Sequence, residues 1–166
     1  MKILALDIST KSTGWFITKG SCGLIEPDPE LPFSEKLSVF RKNVVYLIER
    51  YNPDVVVIED TYLRFNPRTL KQLSQFAGVA MEVCGSRKIQ VDTITATQAR
   101  KHCCGNQEGN FKKEQVFNYF VEKENFNTVC RRLFNRECNF SKDNDLTDAA
   151  ALARARRVMR RHGASS

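Results

Sequence analysis

No apolar run in this sequence approaches the ~18 residues that a membrane-crossing helix needs. The opening Met1-Lys2-Ile3-Leu4-Ala5-Leu6-Asp7 meets charge too early for the apolar core of a secretory leader. There is no internal repeat, low-complexity tract or Gly/Ser linker, which excludes solenoid, fibrous and loosely tethered architectures. The six cysteines (22, 84, 103, 104, 130, 138) contain no Cys-x-x-Cys knuckle. Neighbouring Cys103 and Cys104 do not easily converge on one tetrahedral centre, so zinc is unlikely and free thiols in a reducing compartment are expected. Acidic charge is in deficit: 19 Asp and Glu face 26 Lys and Arg, a net +7. That excess favours a polyanionic partner, nucleic acid before an anionic membrane, with solubility as the competing use. A chain of 166 residues has room for one domain, residues 1–166, and a core that needs no disulfides.

What is present alternates strand and helix. Residues 2–6 and 55–58 are unbroken apolar runs, the pattern of strands covered on both faces. Residues 15–18 are aromatic and β-branched, 19–21 form a turn, and 22–25 pair back to complete an antiparallel meander. Pro27, Pro29 and Pro32 mark a loop. With Ser34 as N-cap, Leu37, Phe40, Val44, Leu47, Ile48 and Tyr51 recur at helical spacing until Pro53. A second helix is predicted over 69–84, stopped by Gly85, then a strand over 89–93. A helical turn over 97–103 and helices over 113–121 and 145–161 follow, the last rich in alanine. The fold class is therefore α/β, a mixed sheet flanked by helices.

Acids stand at the edges of these elements. Asp7 ends the first strand and Glu59 ends the 55–58 strand, the position where α/β sheets hold ligands. Asp60 lies on the opposite face of the pleat from Glu59. Asp145 and Asp148, at i and i+3, share a helix face, and Asp145 is placed near the helix start, where the dipole favours it. Each acid alone has an ordinary role: Asp7 as cap of the Ser9-Thr10 turn, the Asp pair as solvated or capping residues. Together, in a basic chain, they point to a pit whose repulsion a hard divalent cation relieves, Mg²⁺ or Mn²⁺. Two such ions are the equipment of a metal-dependent nuclease.

These segments resemble the RuvC-type Holliday-junction resolvases of the ribonuclease H-like superfamily. Ile3 to Trp15 is similar to that family's first strand, catalytic Asp and Thr-Gly-aromatic turn, although Ile8-Ser9 stands where Pro-Gly is expected. Val56-Val57-Ile58-Glu59 resembles the strand with the second acid, Asn66 to Ala80 the following helix, and Asp145-Leu146-Thr147-Asp148-Ala149 the closing helix. The resemblance implies a five-stranded mixed sheet, antiparallel meander first and parallel strands after. It implies Asp7, Glu59, Asp145 and Asp148 as catalytic metal ligands for two Mg²⁺ (or Mn²⁺) ions, and Lys113, ahead of Lys112, as a catalytic lysine near the scissile phosphate. Tyr62, with Phe65 as second candidate, becomes the aromatic that stacks at the junction centre. Arg64, Arg68, Lys71, Lys112 and Lys113 become DNA-binding residues, and the run Arg154, Arg156, Arg157, Arg160, Arg161 is as well explained by the helix dipole as by phosphate contact.

The implied activity is paired symmetric nicking of four-way junctions by a homodimer, leaving 5′-phosphate and 3′-hydroxyl ends, with no membrane partner. The helix over 69–84 is the expected dimer surface. The alternatives are a non-catalytic nucleic-acid binder of the same fold and a nuclease for other branched DNA or RNA-containing substrates. A sugar-kinase-like ATPase is a weaker rival, since no second phosphate loop is present. The 113–145 stretch, with Arg131, Arg132 and Arg136, looks longer than in bacterial members, which suggests a phage or viral branch with its own substrate contacts. The implied location is the cytoplasm of a bacterial or phage-infected cell, or the nucleus or viral factory for a eukaryotic virus.

Overall fold

Both faces of the first strand are covered, which is why its apolar residues do not alternate with polar ones. The computed structural model describes residues 1–19, 21–60, 66–104, 109 and 111–163, with side chains described as far as 160. Ile3, Leu4, Ala5 and Leu6 of β1 (Ile3–Asp7) are all buried. β1 pairs antiparallel with β2 (Thr13–Ile17), and β2 pairs antiparallel with β3 (Cys22–Ile25). On its other edge β1 runs parallel to β4 (Val55–Asp60), which runs parallel to β5 (Gln90–Thr95). The five-stranded order is β3-β2-β1-β4-β5.

Side chains of period two divide the sheet into two faces. Leu4, Leu6, Val56 and Ile58 meet α1 (Phe33–Tyr51) and α2 (Pro67–Ser86), where Phe40 and Phe76 pack edge to face at 5.1 Å. Ile3, Ala5, Val55 and Val57 meet α3 (Ala96–His102) and α6 (Phe140–Gly163) through Ala99, Leu152, Ala153 and Ala155. The alanines bring α6 close to the strands. A third cluster joins α4 (Lys113–Lys123), α5 (Phe126–Phe134) and α6 beside the β2–β3 edge. Among the described residues no helix is long and apolar enough to cross a membrane.

Helix ends depart from the sequence reading for local reasons. Ser34 is not the cap of α1. Pro32 is, and its carbonyl accepts the Glu35 and Lys36 N–H groups. α2 starts two residues before the expected Thr69, because the Asn66 side chain accepts the Thr69 N–H at 2.8 Å and Pro67 occupies the first turn. It also runs through Gly85 to Ser86. α5 was not expected; Asn125 and Asn135, both left-handed, bracket it. α6 begins at Phe140, so Asp145 lies in its second turn and gains little from the dipole. Asp143 takes the place at the helix start.

Gly14 records how tightly α6 lies on β2. A Cβ built there meets the Asp145 carbonyl oxygen at 2.0 Å, a backbone contact that cannot rotate away. Gly14→Ala is expected to lower stability by about 1–3 kcal/mol, the usual cost of overpacking. Gly78→Ala, on α2 with nothing within 4 Å, is expected to raise it by about 0.4–1 kcal/mol. Denaturant melts of the two variants check both signs.

Candidate active site

Strand register alone brings the first two acids together. Leu6 of β1 is paired with Ile58 of β4, so Asp7 and Glu59 are the next residues out on adjacent parallel strands. Both continue the Ala5 and Val57 face, toward α6. Their carboxyl groups are hydrogen-bond neighbours, while Asp60 points to the opposite face and is exposed. Ser9 has its own part here: its hydroxyl accepts the Ser12 N–H at 3.0 Å and closes the 9–12 turn. That turn therefore does not depend on Asp7 as a cap, and Ile8-Ser9 supplies a closed turn in place of Pro-Gly.

α6 delivers the other pair. Asp145 and Asp148 belong to the stripe that continues through Ala149, Leu152 and Ala155 under the sheet, so the helix face that buries alanine also presents the acids. From the first turn of α4, the Lys113 ammonium reaches Asp148 Oδ2 at 2.6 Å. Lys112 is the residue before the helix, and its N–H bonds to Gln115 Oε1. Of the two lysines, only Lys113 enters the site.

A cleft of about 180 Å³ is lined by Asp7, Ile8, Glu59, Ala96, Ala99, Arg100, Lys113, Asp148 and Ala151. Asp145 acts at its edge, through Lys113. No three of the four acids lie within 4.8 Å of one another; Asp7, Glu59 and Asp148 line the cleft, and Asp145 stands outside its lining. A larger hollow of about 410 Å³, between Phe16, Phe120, Glu124 and Arg154, has no comparable set of acids. Chemistry, not size, picks the site.

Electrostatics match the geometry. Burial first, then the Asp148, Glu59 and Asp145 charges, hold the Asp7 carboxyl well above the ordinary carboxylate range. Glu59 and Asp148 are raised chiefly by burial, with Lys113 and Arg100 pulling the other way. Burial also raises Asp145. For Lys113, burial opposes the charge, but Asp148, Asp7 and Asp145 outweigh it and the ammonium is held above its usual value. This is a site with too much negative charge for one ammonium.

Arg100, on α3 beyond the end of β5, was missed in the sequence. Its signal was available: a short helix placed directly after the strand next to β4, with Arg in its last turn. Other basic residues do not gather here. Arg68 and Lys71 are exposed on the first turns of α2, away from the cleft lining. Arg154 pairs with Glu124 and lies 5.3 Å over the Tyr119 ring, and Arg156 pairs with Asp92. Arg136 pairs with Asp143, and Arg131 pairs with Glu137 at the surface. Tyr62, Arg64 and Phe65 lie outside the described residues.

The pKa directions set a stability test. A carboxyl raised by folding stabilises the fold at low pH and loses that contribution as pH rises through its folded value. Asp7→Asn is therefore expected to melt higher than wild type at neutral pH without divalent ions, by about 2–4 °C for each kcal/mol regained. The difference should vanish below the ordinary value of 3.8. Calorimetry in chelator from pH 3.5 to 8 measures it.

Comparison with known proteins bears on the family and the fold. The chain is 29% identical over 124 residues to the crossover junction endodeoxyribonuclease RuvC of Paramagnetospirillum magneticum, covering 70% of this chain and 74% of that protein. Against the Neisseria meningitidis serogroup C protein it is 26% identical over 130 residues, covering 74% and 72%. Its fold is similar to T. thermophilus RuvC in complex with Holliday junction substrate (TM-score 0.73, 15% identity, 98% and 96% covered). It is also similar to the fowlpox virus resolvase bound to Holliday junction DNA (TM-score 0.53, 19% identity, 92% and 94% covered). The family profile described as crossover junction endodeoxyribonuclease RuvC matches residues 10–155, with Glu59, Lys113, Asp145 and Asp148 inside it and Asp7 three residues before. The chain belongs to the RuvC family.

Proposed function

We propose that this protein is a metal-dependent, structure-selective DNA endonuclease that resolves four-way junctions. Paired nicks would leave 5′-phosphate and 3′-hydroxyl ends. One observation carries the reading: the β1–β4 register sets Asp7 beside Glu59 at the ends of two central strands, facing Asp148 and Lys113 across a cleft.

The donor set fits hard divalent cations. Four carboxylates, all held above their ordinary range, with one ammonium among them, are short of positive charge. Oxygen-only ligands suit Mg²⁺ or Mn²⁺. Asp7, Glu59, Asp148 and Asp145 are the residues that would hold the ions, and a spread of carboxylates wider than one coordination sphere favours two ions over one. Bound there, the ions supply Lewis-acid polarisation of the phosphodiester and lower the pKa of the attacking water.

The residues do the positioning. Asp7 and Glu59, on rigid strand ends, fix one side of the cleft, and α6 fixes the other. Lys113 leaves Asp148 for a phosphate oxygen as negative charge builds in the transition state, and Arg100 neutralises charge from α3. Arg68, Lys71 and Lys112 hold the DNA backbone outside the cleft, contacts that carry affinity but no sequence information. By the family resemblance, Tyr62 or Phe65 would stack at the junction centre and Arg64 would bind DNA. A homodimer, with α2 as its surface, supplies two sites to a junction with two-fold symmetry.

The direct test incubates the protein with labelled four-way junction, linear duplex and RNA–DNA hybrid, in Mg²⁺, Mn²⁺ or chelator. Cleavage is expected on the junction alone and only with metal. Asp7→Asn should lose cleavage by about 10²–10³-fold or more while binding the junction nearly normally. Equal cutting of linear duplex would reassign the substrate. Charge removal at Arg68 and Lys71 should weaken binding and reduce the salt slope by about 0.9 per lost phosphate contact.

A further inference from the structure

A second group of ligand-type side chains meets away from the acidic cleft, at the corner between α5 and α6. The Cys130 and Cys138 sulfurs and a carboxylate oxygen of Asp143 all lie within 4.8 Å of one another. Cys130 and Asp143 are fully buried, and Cys138 is half-buried. A tetrahedral zinc ion, with Zn–S near 2.3 Å and Zn–O near 2.0–2.2 Å, sets such ligands roughly 3.5–4 Å apart. Closing the group around an ion therefore takes about an ångström of side-chain movement.

The connection is built to bring Cys138 back. α5 ends at left-handed Asn135, whose N–H bonds to the Arg131 carbonyl. The Cys138 N–H then donates to Asn127 Oδ1 at 3.0 Å, and its thiol donates to the Phe126 carbonyl at 3.1 Å. Both partners lie at the start of α5, so residue 138 is folded back along that helix against Cys130. Cys22, buried on β3, belongs to the same apolar cluster as Cys130 but not to the three residues whose ligand atoms meet within 4.8 Å.

Charge and lone pairs balance. An ionised carboxylate has about four acceptor sites. Arg136 takes two from Asp143, at 2.6 and 2.7 Å, and the Asn139 N–H takes a third at 2.7 Å. About one site remains for a metal. Two thiolates and one carboxylate around a divalent ion leave one negative charge, which the Arg136 guanidinium cancels. A charged group bonded behind a ligand and orienting it is the usual arrangement around protein-bound zinc.

We propose that Cys130, Cys138 and Asp143, with a water molecule completing the tetrahedron, bind one structural zinc ion that fastens α5 and its following loop to the first turn of α6. Each S–H bond breaks as an S–Zn bond forms, its proton passes to solvent, and no oxidation state changes. The spacing Cys-x₇-Cys-x₄-Asp has no knuckle, which is why the sequence argued against zinc. A knuckle is unnecessary when two helices and a pinned loop set the ligand positions. The proposal does not rest on the catalytic reading.

The full-length protein, expressed with added zinc and purified without chelator, is analysed for metal by mass spectrometry after gel filtration. About one zinc per chain is expected. Cys138→Ser should lose it. Cys84→Ser, a buried thiol in the α1–α2 core, and Asp7→Asn should both keep it, which separates this ion from any in the acidic cleft. Stripping the zinc should lower the melting temperature, and Zn²⁺ alone should restore it. If Cys138→Ser fails to fold, Co²⁺ substitution of the wild type decides, through its thiolate charge-transfer absorption. Zinc-free wild type with no Zn²⁺-dependent rise in melting temperature overturns the proposal. So does full zinc in Cys138→Ser, or a Cys130–Cys138 disulfide in protein purified under reducing conditions.

Discussion

Everything at the site depends on carboxylates being held out of water near one another. Water would solvate Asp7, Glu59 and Asp148 well; the cleft does not, and their charges repel. One ammonium, Lys113, offsets part of this. The remainder has to be borne by the rest of the fold. The β1–β4 pair, dry on both faces, and the alanine face of α6 are what resist the acids moving apart. A cation-free site of this kind lowers stability and raises readiness to bind metal, since the repulsion that weakens the fold is what an ion relieves.

The overall charge has the opposite sign to the cleft. A chain of +7 attracts a polyanion from a distance, while its pit would repel the phosphate that must enter it. Hard cations bound there, as proposed, would resolve the conflict by reversing the sign of the pit. Part of the apparent excess of basic surface is unavailable for this purpose. Arg154 and Arg156 tie α6 to Glu124 and Asp92, and Arg136 is spent on Asp143, so composition overstates the positive charge free to meet DNA.

The sheet and the acids were legible in the sequence because both follow from short periods. Period two put Asp7 and Glu59 on one face and Asp60 on the other, and i, i+3 spacing put Asp145 with Asp148. What could not be read were matters settled by hydrogen bonds across a helix end. Ser34 is a good cap by residue type, yet Pro32 is the cap because the loop before it delivers that carbonyl. Asp145 looked like a helix start because Phe140 to Asn144 carry no strong periodic pattern; Asn139 and Asp143 close the start five residues earlier. Arg100 reached the cleft through tertiary placement of a seven-residue helix, so its signal lay in the order of strand and helix and not in side-chain spacing.

α6 shows how a site can be made rigid from outside itself. Its first turn is clamped by Arg136 on Asp143, its middle is pressed on β1 and β2 by small residues, and its later turns are tied by Arg154 and Arg156. None of these ion pairs touches the cleft. Each removes a way for Asp145 and Asp148 to slide or roll. Because Gly14 leaves the helix backbone lying against β2, with no gap a methyl could enter, the axial and radial positions of the two acids are set before any ion binds. Carboxylates placed this way would give up little conformational entropy on binding cations, so in the proposed mechanism the ions would not have to organise the site that receives them.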